Sequence, residues 1–252
     1  MNRKHSIIIG GTKGVGRELA GLFAATGQHV TAVGRNPSEF PPVTGGGGVI
    51  EGFAGNAEHP DELLEALRLQ VQNRGPLSSL VFLQRYRGNG DSWAGELAVA
   101  LTATKTLLEG LAPHFAPAGD RSVCMVTSNA SSFVARNQTL AYHTSKAALA
   151  QMARFYAVKL GAQGIRVNVV SPCTFVKAES AAFYAGQPEL QALYAKITPL
   201  GRMGTAAEVA KAAAFLCGPD ASFITGQELT VDGGLSLMLQ DALAREVAGL
   251  AV

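Results

Sequence analysis

"IIIGGTKGVGRELA", residues 7–20, decides how this chain is read. Three isoleucines suit a strand buried on both faces. A glycine turn follows, and helical periodicity then runs over 15–26. Gly10, Gly14 and Gly16 are spaced G-x-x-x-G-x-G across this strand-to-helix junction. The first glycine permits the tight turn, the second lets a pyrophosphate approach the backbone, and the third lets the helix pack closely. The helix N-terminus offers N–H donors and a positive dipole end to phosphate. Thr12, Lys13 and Val15 belong to the same turn. The plain alternative is a glycine-rich loop without a ligand, but its position at the first strand–helix junction favours a dinucleotide site.

The pattern repeats along the chain. Strands are expected at 6–10, 29–33, 48–53, 79–83, 122–127, 165–171 and 227–231. Helical periodicity fills 15–26, 60–73, 92–112, 141–161 and 205–217. This alternation predicts an α/β fold: a Rossmann-like doubly wound sheet of about seven mostly parallel strands with helices on both faces. "FPPVTGGGG" (40–48) reads as a loop inside a single domain over 1–252, because the alternation resumes directly after it. Residues 175–200 interrupt the pattern and read as a lid-like insertion; 235–252 read as an amphipathic tail that covers either a subunit interface or its own domain.

Composition narrows the function. The chain has 252 residues, 47% hydrophobic, with net charge +2, enough for a substantial core. So balanced a charge gives no nucleic-acid footprint. "SIIIG" is too short for a signal-peptide core, and no apolar run approaches the roughly 20 residues of a membrane span. Cys124, Cys173 and Cys217 are scattered and odd in number, which suggests reduced thiols in a cytoplasmic protein and no metal site.

The second strand ends "VGRNP", with Gly34 where an NAD enzyme usually carries an acid for the ribose hydroxyls. Arg35 stands next to it, and Lys13 adds a second cation. A guanidinium suits a 2′-phosphate, so NADP(H) is expected over NAD(H), unless Arg35 is only a surface charge. Further on, Tyr142 and Lys146 are four apart in "LAYHTSKAALAQMARFYAVKLG" (140–161). Helical spacing puts their Cβ atoms about 5–6 Å apart on one face. A lysine beside a phenol favours the phenolate, and such a tyrosine can give its proton to a carbonyl oxygen as hydride arrives. Upstream, "CMVTSNASS" ends an expected strand in hydroxyl groups.

These residues resemble the short-chain dehydrogenase/reductase family along nearly the whole chain. The resemblance rests on Gly10-x-x-x-Gly14-x-Gly16, Tyr142-x-x-x-Lys146, "IRVNVVSP" (165–172), "PLGRMG" (199–204) and "ITGQELTVDGG" (224–234). It is strongest to the branch of 3-oxoacyl-carrier-protein reductases and related carbonyl reductases. It implies a seven-stranded Rossmann sheet and a homotetramer or homodimer. Tyr142 would be the acid/base, Lys146 would bind the nicotinamide ribose, and Ser128 would hold the substrate carbonyl, with Ser131 in reserve. Asn56 matches the place of an adenine contact, and Pro172 the close of the sixth strand beside the cofactor.

Three departures stand out. The family's N-N-A-G is Phe82-Leu83-Gln84-Arg85 here, its relay asparagine aligns with Ala100, and its threonine after the sixth strand with Lys177. Arg85, Arg87 and Lys177 therefore suggest a cleft rim for an anionic substrate, small or carrier-bound, or else solvated charges. The expected function is NADPH-dependent reduction of a ketone. The alternatives are oxidation of the matching alcohol and a non-catalytic NADPH-binding subunit.

Overall fold

The computed structural model describes residues 3–37, 39–43 and 46–250. Thr44 and Gly45 of the 40–48 loop and the last two residues of the tail lie outside the described residues. Seven strands form one parallel sheet: β1 (His5–Ile9), β2 (His29–Gly34), β3 (Val49–Ala54), β4 (Leu77–Phe82), β5 (Ser122–Val126), β6 (Arg166–Pro172) and β9 (Glu228–Val231). Their spatial order is β3-β2-β1-β4-β5-β6-β9. The winding direction reverses between β1 and β4, and a crevice opens beyond the carboxyl ends of strands at such a point.

Period-two burial explains why the strands are apolar throughout. Ile7 and Ile9 pack on one face and Ile8 on the other. The first face is covered by α2 (Pro60–Arg74), α4 (Ala103–Leu111) and α5 (Leu140–Gly161), through Leu67, Leu107, Leu108, Leu149 and Leu160. The second is covered by α1 (Gly14–Ala25) and α8 (Ala206–Cys217), through Leu19, Phe23, Val209 and Leu216.

One helix departs from expectation. The span 92–112 is interrupted: α3 (Ser92–Glu96) leads into a π-helical turn, Leu97–Thr102, before α4 begins. Side chains take up two carbonyls of this turn. Gln84 Nε2 donates to Val99 O at 3.2 Å, and Thr104 Oγ1 donates to Ala100 O at 2.7 Å. Such π-turns are common at functional sites, and this one surrounds Ala100.

Two further short strands, β7 (Phe175–Val176) and β8 (Gly204–Thr205), pair with each other outside the main sheet. Between them lie α6 (Ala181–Ala185) and α7 (Pro188–Ile197), neither with a buried residue. The tail forms α9 (Gln240–Val247), which packs on α7, and Lys196 Nζ donates to Val247 O at 3.2 Å.

Candidate active site

The glycine turn is built from backbone contacts too close for side chains. Gly10 has φ +83°, and its N–H donates to Val33 O at 2.9 Å. A Cβ on Gly10 would lie 3.0 Å from the carbonyl carbon of Leu83, so the ends of β1 and β4 touch there. A Cβ on Gly16 would run into the carbonyl oxygen of Gly10 and sit 2.7 Å from Gly11 Cα. The start of α1 thus lies hard against the end of β1. Gly14 donates its N–H to Glu179 Oε1 at 3.0 Å, so a carboxylate already occupies a donor of this turn. Lys177 lies over the same glycine, its Cδ 3.6 Å from where a Gly14 Cβ would be.

At the end of β2, Thr12 fills the space below Gly34. A Cβ there would overlap Thr12 Oγ1 and come within 2.8 Å of Thr12 Cγ2. An acidic side chain at this position has no room while Thr12 stays where it is. Arg35, one residue on, is exposed on the cleft wall, as is Lys13. Beyond β3, Asn56 Oδ1 accepts the Glu58 N–H at 3.1 Å, leaving the Asn56 amide at the cleft edge.

The other wall carries the hydroxyl and ammonium groups. Thr139 caps α5 by accepting the Tyr142 N–H at 3.2 Å, which sets where the tyrosine leaves the helix. Lys146 is buried; its Nζ donates to Val126 O at 3.1 Å and lies 5.7 Å from the Tyr142 ring centroid. Burial lowers its pKa to about 8, Glu96 opposes the shift and Arg85 adds to it. Ser128, just past β5, accepts the Ala130 N–H at 3.2 Å and faces the cleft. Ser131 instead donates to Glu228 Oε1 at 3.1 Å and is not part of the cleft lining. His143 bridges the backbone: Nε2 accepts the Ala135 N–H at 2.9 Å, so Nδ1 donates to Thr139 O at 2.8 Å.

Apart from the reserve Ser131, the fifteen site residues expected from the sequence line one cleft of about 850 Å³: Gly10, Thr12, Lys13, Gly14, Val15, Gly16, Arg35, Asn56, Arg85, Arg87, Ser128, Tyr142, Lys146, Pro172 and Lys177. The three suggested rim cations have different surroundings. Lys177 lies on the glycine turn. Arg85 turns inward: Nη2 donates to Gln138 Oε1 at 2.8 Å, Nε is 3.5 Å from Glu96 Oε1, and Cζ sits 4.2 Å from the Tyr142 ring centroid. Arg87 remains exposed on the cleft wall. Sequence reading missed Glu179, Glu96 and Gln138. Glu179 and Gln138 lie on segments far from their partners in the chain, Glu96 on the helix after Arg85, and no local pattern marks any of them.

Among the described residues no group of three or more His, Cys, Asp or Glu is placed to hold a metal, and no helix is long and apolar enough to cross a membrane. The family model described as enoyl-(acyl carrier protein) reductase matches residues 10–236. "Oxidoreductase asL5" of Sarocladium schorii is 31% identical over 245 residues, spanning 92% of this chain and 96% of its own. The glucose 1-dehydrogenase of Gluconobacter oxydans is 27% identical over 248 residues, spanning 93% and 92%. The structure of a short-chain type dehydrogenase/reductase from Mycobacterium ulcerans superposes with a TM-score of 0.81 at 29% identity, over 98% of this chain and 95% of that one. The chain belongs to the short-chain dehydrogenase/reductase family, an oxidoreductase family that uses a nicotinamide dinucleotide. The glycine cradle, which side chains would fill, and the Gly14 N–H, which donates to a carboxylate, suit such a group.

The buried lysine has a consequence for stability. Its folded-state pKa, about 8, lies below the ordinary 10.5. Between those values the unfolded chain holds more protons, so this residue makes stability rise with pH across that window. Lys146→Met should flatten the rise, measured as denaturant midpoints from pH 8 to 10.5. Equal slopes in the two proteins would show that Lys146 is not held in a depressed state.

Proposed function

We propose that this family member is an NADPH-dependent reductase of a ketone. The observation that carries the reading is the convergence of Tyr142, Lys146 and Ser128 on the cleft that the glycine turn and Arg35 close from the other side. Gly10, Gly14, Gly16, Thr12 and Val15 would hold the pyrophosphate end, with Lys177 supplying a charge over the turn. Arg35 and Lys13 would take the 2′-phosphate, and Asn56 the adenine. Lys146 and Pro172 would flank the nicotinamide end. When bound, the nicotinamide supplies the hydride, or accepts it in the reverse direction.

The chain's own part is proton chemistry. The Ser128 hydroxyl donates a hydrogen bond to the substrate carbonyl and orients it. Tyr142 gives its phenolic proton to that oxygen, and the charged form of Lys146 steadies the phenolate that remains. Arg87 and Gln138 would meet a polar or anionic end of the substrate, whether the compound is free or borne on an acidic carrier protein. We place the enzyme in the cytoplasm, with its three thiols free, as a homotetramer or homodimer. Exposed apolar side chains such as Phe155 and Val158 on α5 support association.

Two other readings keep specific support. The same residues run alcohol oxidation, and one relative is named a dehydrogenase. A non-catalytic NADPH-binding subunit is favoured by Ala100 at the relay position, where Gln84 and Thr104 already donate to the Val99 and Ala100 carbonyls.

Tyr142→Phe should lower turnover by about 10²–10⁴ while NADPH affinity stays nearly constant, because only the phenolic proton is lost. Steady-state kinetics with a binding titration checks this, and wild-type turnover in the variant would remove Tyr142 from the mechanism. Arg35→Asp should weaken NADPH about ten- to a hundredfold relative to NADH, the worth of one charge-assisted contact. An unchanged preference would move the 2′-phosphate to Lys13 or exclude it.

A further inference from the structure

The residue at the last position of the replaced N-N-A-G segment has an unexpected neighbour. Arg85 is half-buried and does not lie along the glycine turn. Its guanidinium covers the Tyr142 ring at 4.2 Å from the centroid, closer than Lys146 Nζ at 5.7 Å. One hydrogen bond holds it there, Gln138 Oε1 accepting from Nη2 at 2.8 Å, and Glu96 Oε1 forms an ion pair 3.5 Å from Nε, which makes no hydrogen bond among the described residues. Glu96 is itself buried, with Oε2 lacking any partner among the described residues. The side chain of Arg85 is 31% exposed and that of Glu96 6%, so this pair is weakly screened by water.

We propose that Arg85 is a positioning residue for Tyr142: it clamps the ring face and stabilises the charge that forms on the phenol oxygen as the proton leaves. The inference rests on Tyr142 as the proton donor. When the phenolic O–H bond breaks, its proton passes to the substrate oxygen and its electron pair stays on the phenol oxygen. Water later returns the proton. A cation on the ring face attracts the neutral ring and attracts the phenolate more strongly. The other charged or titratable groups around the ring are Lys146 and His143 on α5, Glu96 on α3, and Arg87 two residues beyond Arg85. Glu96 offsets part of the Arg85 charge but lies on the guanidinium rather than on the ring, so the cation remains the group in contact with Tyr142. Glycine, which the family places at this position, has no side chain to do this. The chain thus adds a second cation to the tyrosine where the usual relay residue is Ala100.

The test compares wild type with Arg85→Met, which keeps bulk and removes charge, and with Arg85→Lys. In the cofactor-free protein, labelling of Tyr142 by an aryl sulfonyl fluoride, followed by peptide mass spectrometry, reports the nucleophilicity of the phenol oxygen. Arg85→Met should slow labelling about 2- to 30-fold, the span of one cation–π contact. It should lower kcat in ketone reduction by a similar factor with NADPH affinity unchanged, and Arg85→Lys should recover part of both. Equal or faster labelling in Arg85→Met would overturn the proposal and leave Arg85 as a cover over the ring. If Arg85→Met does not fold, Arg85→Gln, which can still bond Gln138, takes its place. Because labelling needs no turnover, it judges the clamp even if Tyr142→Phe shows that the tyrosine is not the proton donor.

Discussion

The close approach of three backbone segments at the switch between β1 and β4 organises this molecule. Gly10 meets Leu83 and Gln84 so closely that a methyl group would push them apart, and Gly16 meets Gly10 on the other side with no room for one. Close packing of this kind leaves backbone N–H groups facing the crevice and brings the two strand ends within reach of one ligand. Everything functional in the cleft is measured from that junction. Arg85 follows from β4, Ser128 from β5, and Lys177 from the segment after β6 that folds back over Gly14. A side chain at Gly16 would separate these elements, and one at Gly10 would strain a left-handed turn as well as crowd β4.

Much of this was legible in the sequence because it is written in local periodicity. Runs such as Ile7–Ile9 alternate their burial across the two faces of the sheet, and the helices between them show the longer period of an amphipathic surface. The glycine spacing marked the junction, and Tyr142 with Lys146 marked one wall of the cleft, since a four-residue step on a helix fixes a shared face. The π-turn was hidden. Gln84 reaches across to one of its carbonyls, Val99 O, a tertiary contact, and "GELAVALTATK" reads as ordinary helix. The role of Thr12 was hidden in the same way, because its side chain occupies the space beside Gly34, distant in the chain.

Charge proved least legible. The sequence offers Arg85, Arg87 and Lys177 as similar cations. The fold sends them to three environments: a tyrosine ring with a buried glutamate, an open cleft wall, and the glycine turn beside Glu179. The acid that partners Arg85 lies in the following helix, and the carboxylate that meets Gly14 comes from a segment 165 residues away. Residue type alone does not decide such partnerships, because attraction between charges depends on distance and solvent exposure, which only the packed chain sets.

The proposed enzyme moves a hydride and a proton in this cleft rather than merely holding a dinucleotide. The most direct measurement mixes the purified protein with NADPH carrying deuterium at the transferable position and a panel of ketones, including free acids and carrier-bound 3-oxoacyl thioesters. The account predicts that deuterium appears on the carbinol carbon of at least one product at a rate that depends on Tyr142. Tight NADPH binding with no deuterium transferred to any member of the panel would contradict it and would favour the non-catalytic subunit.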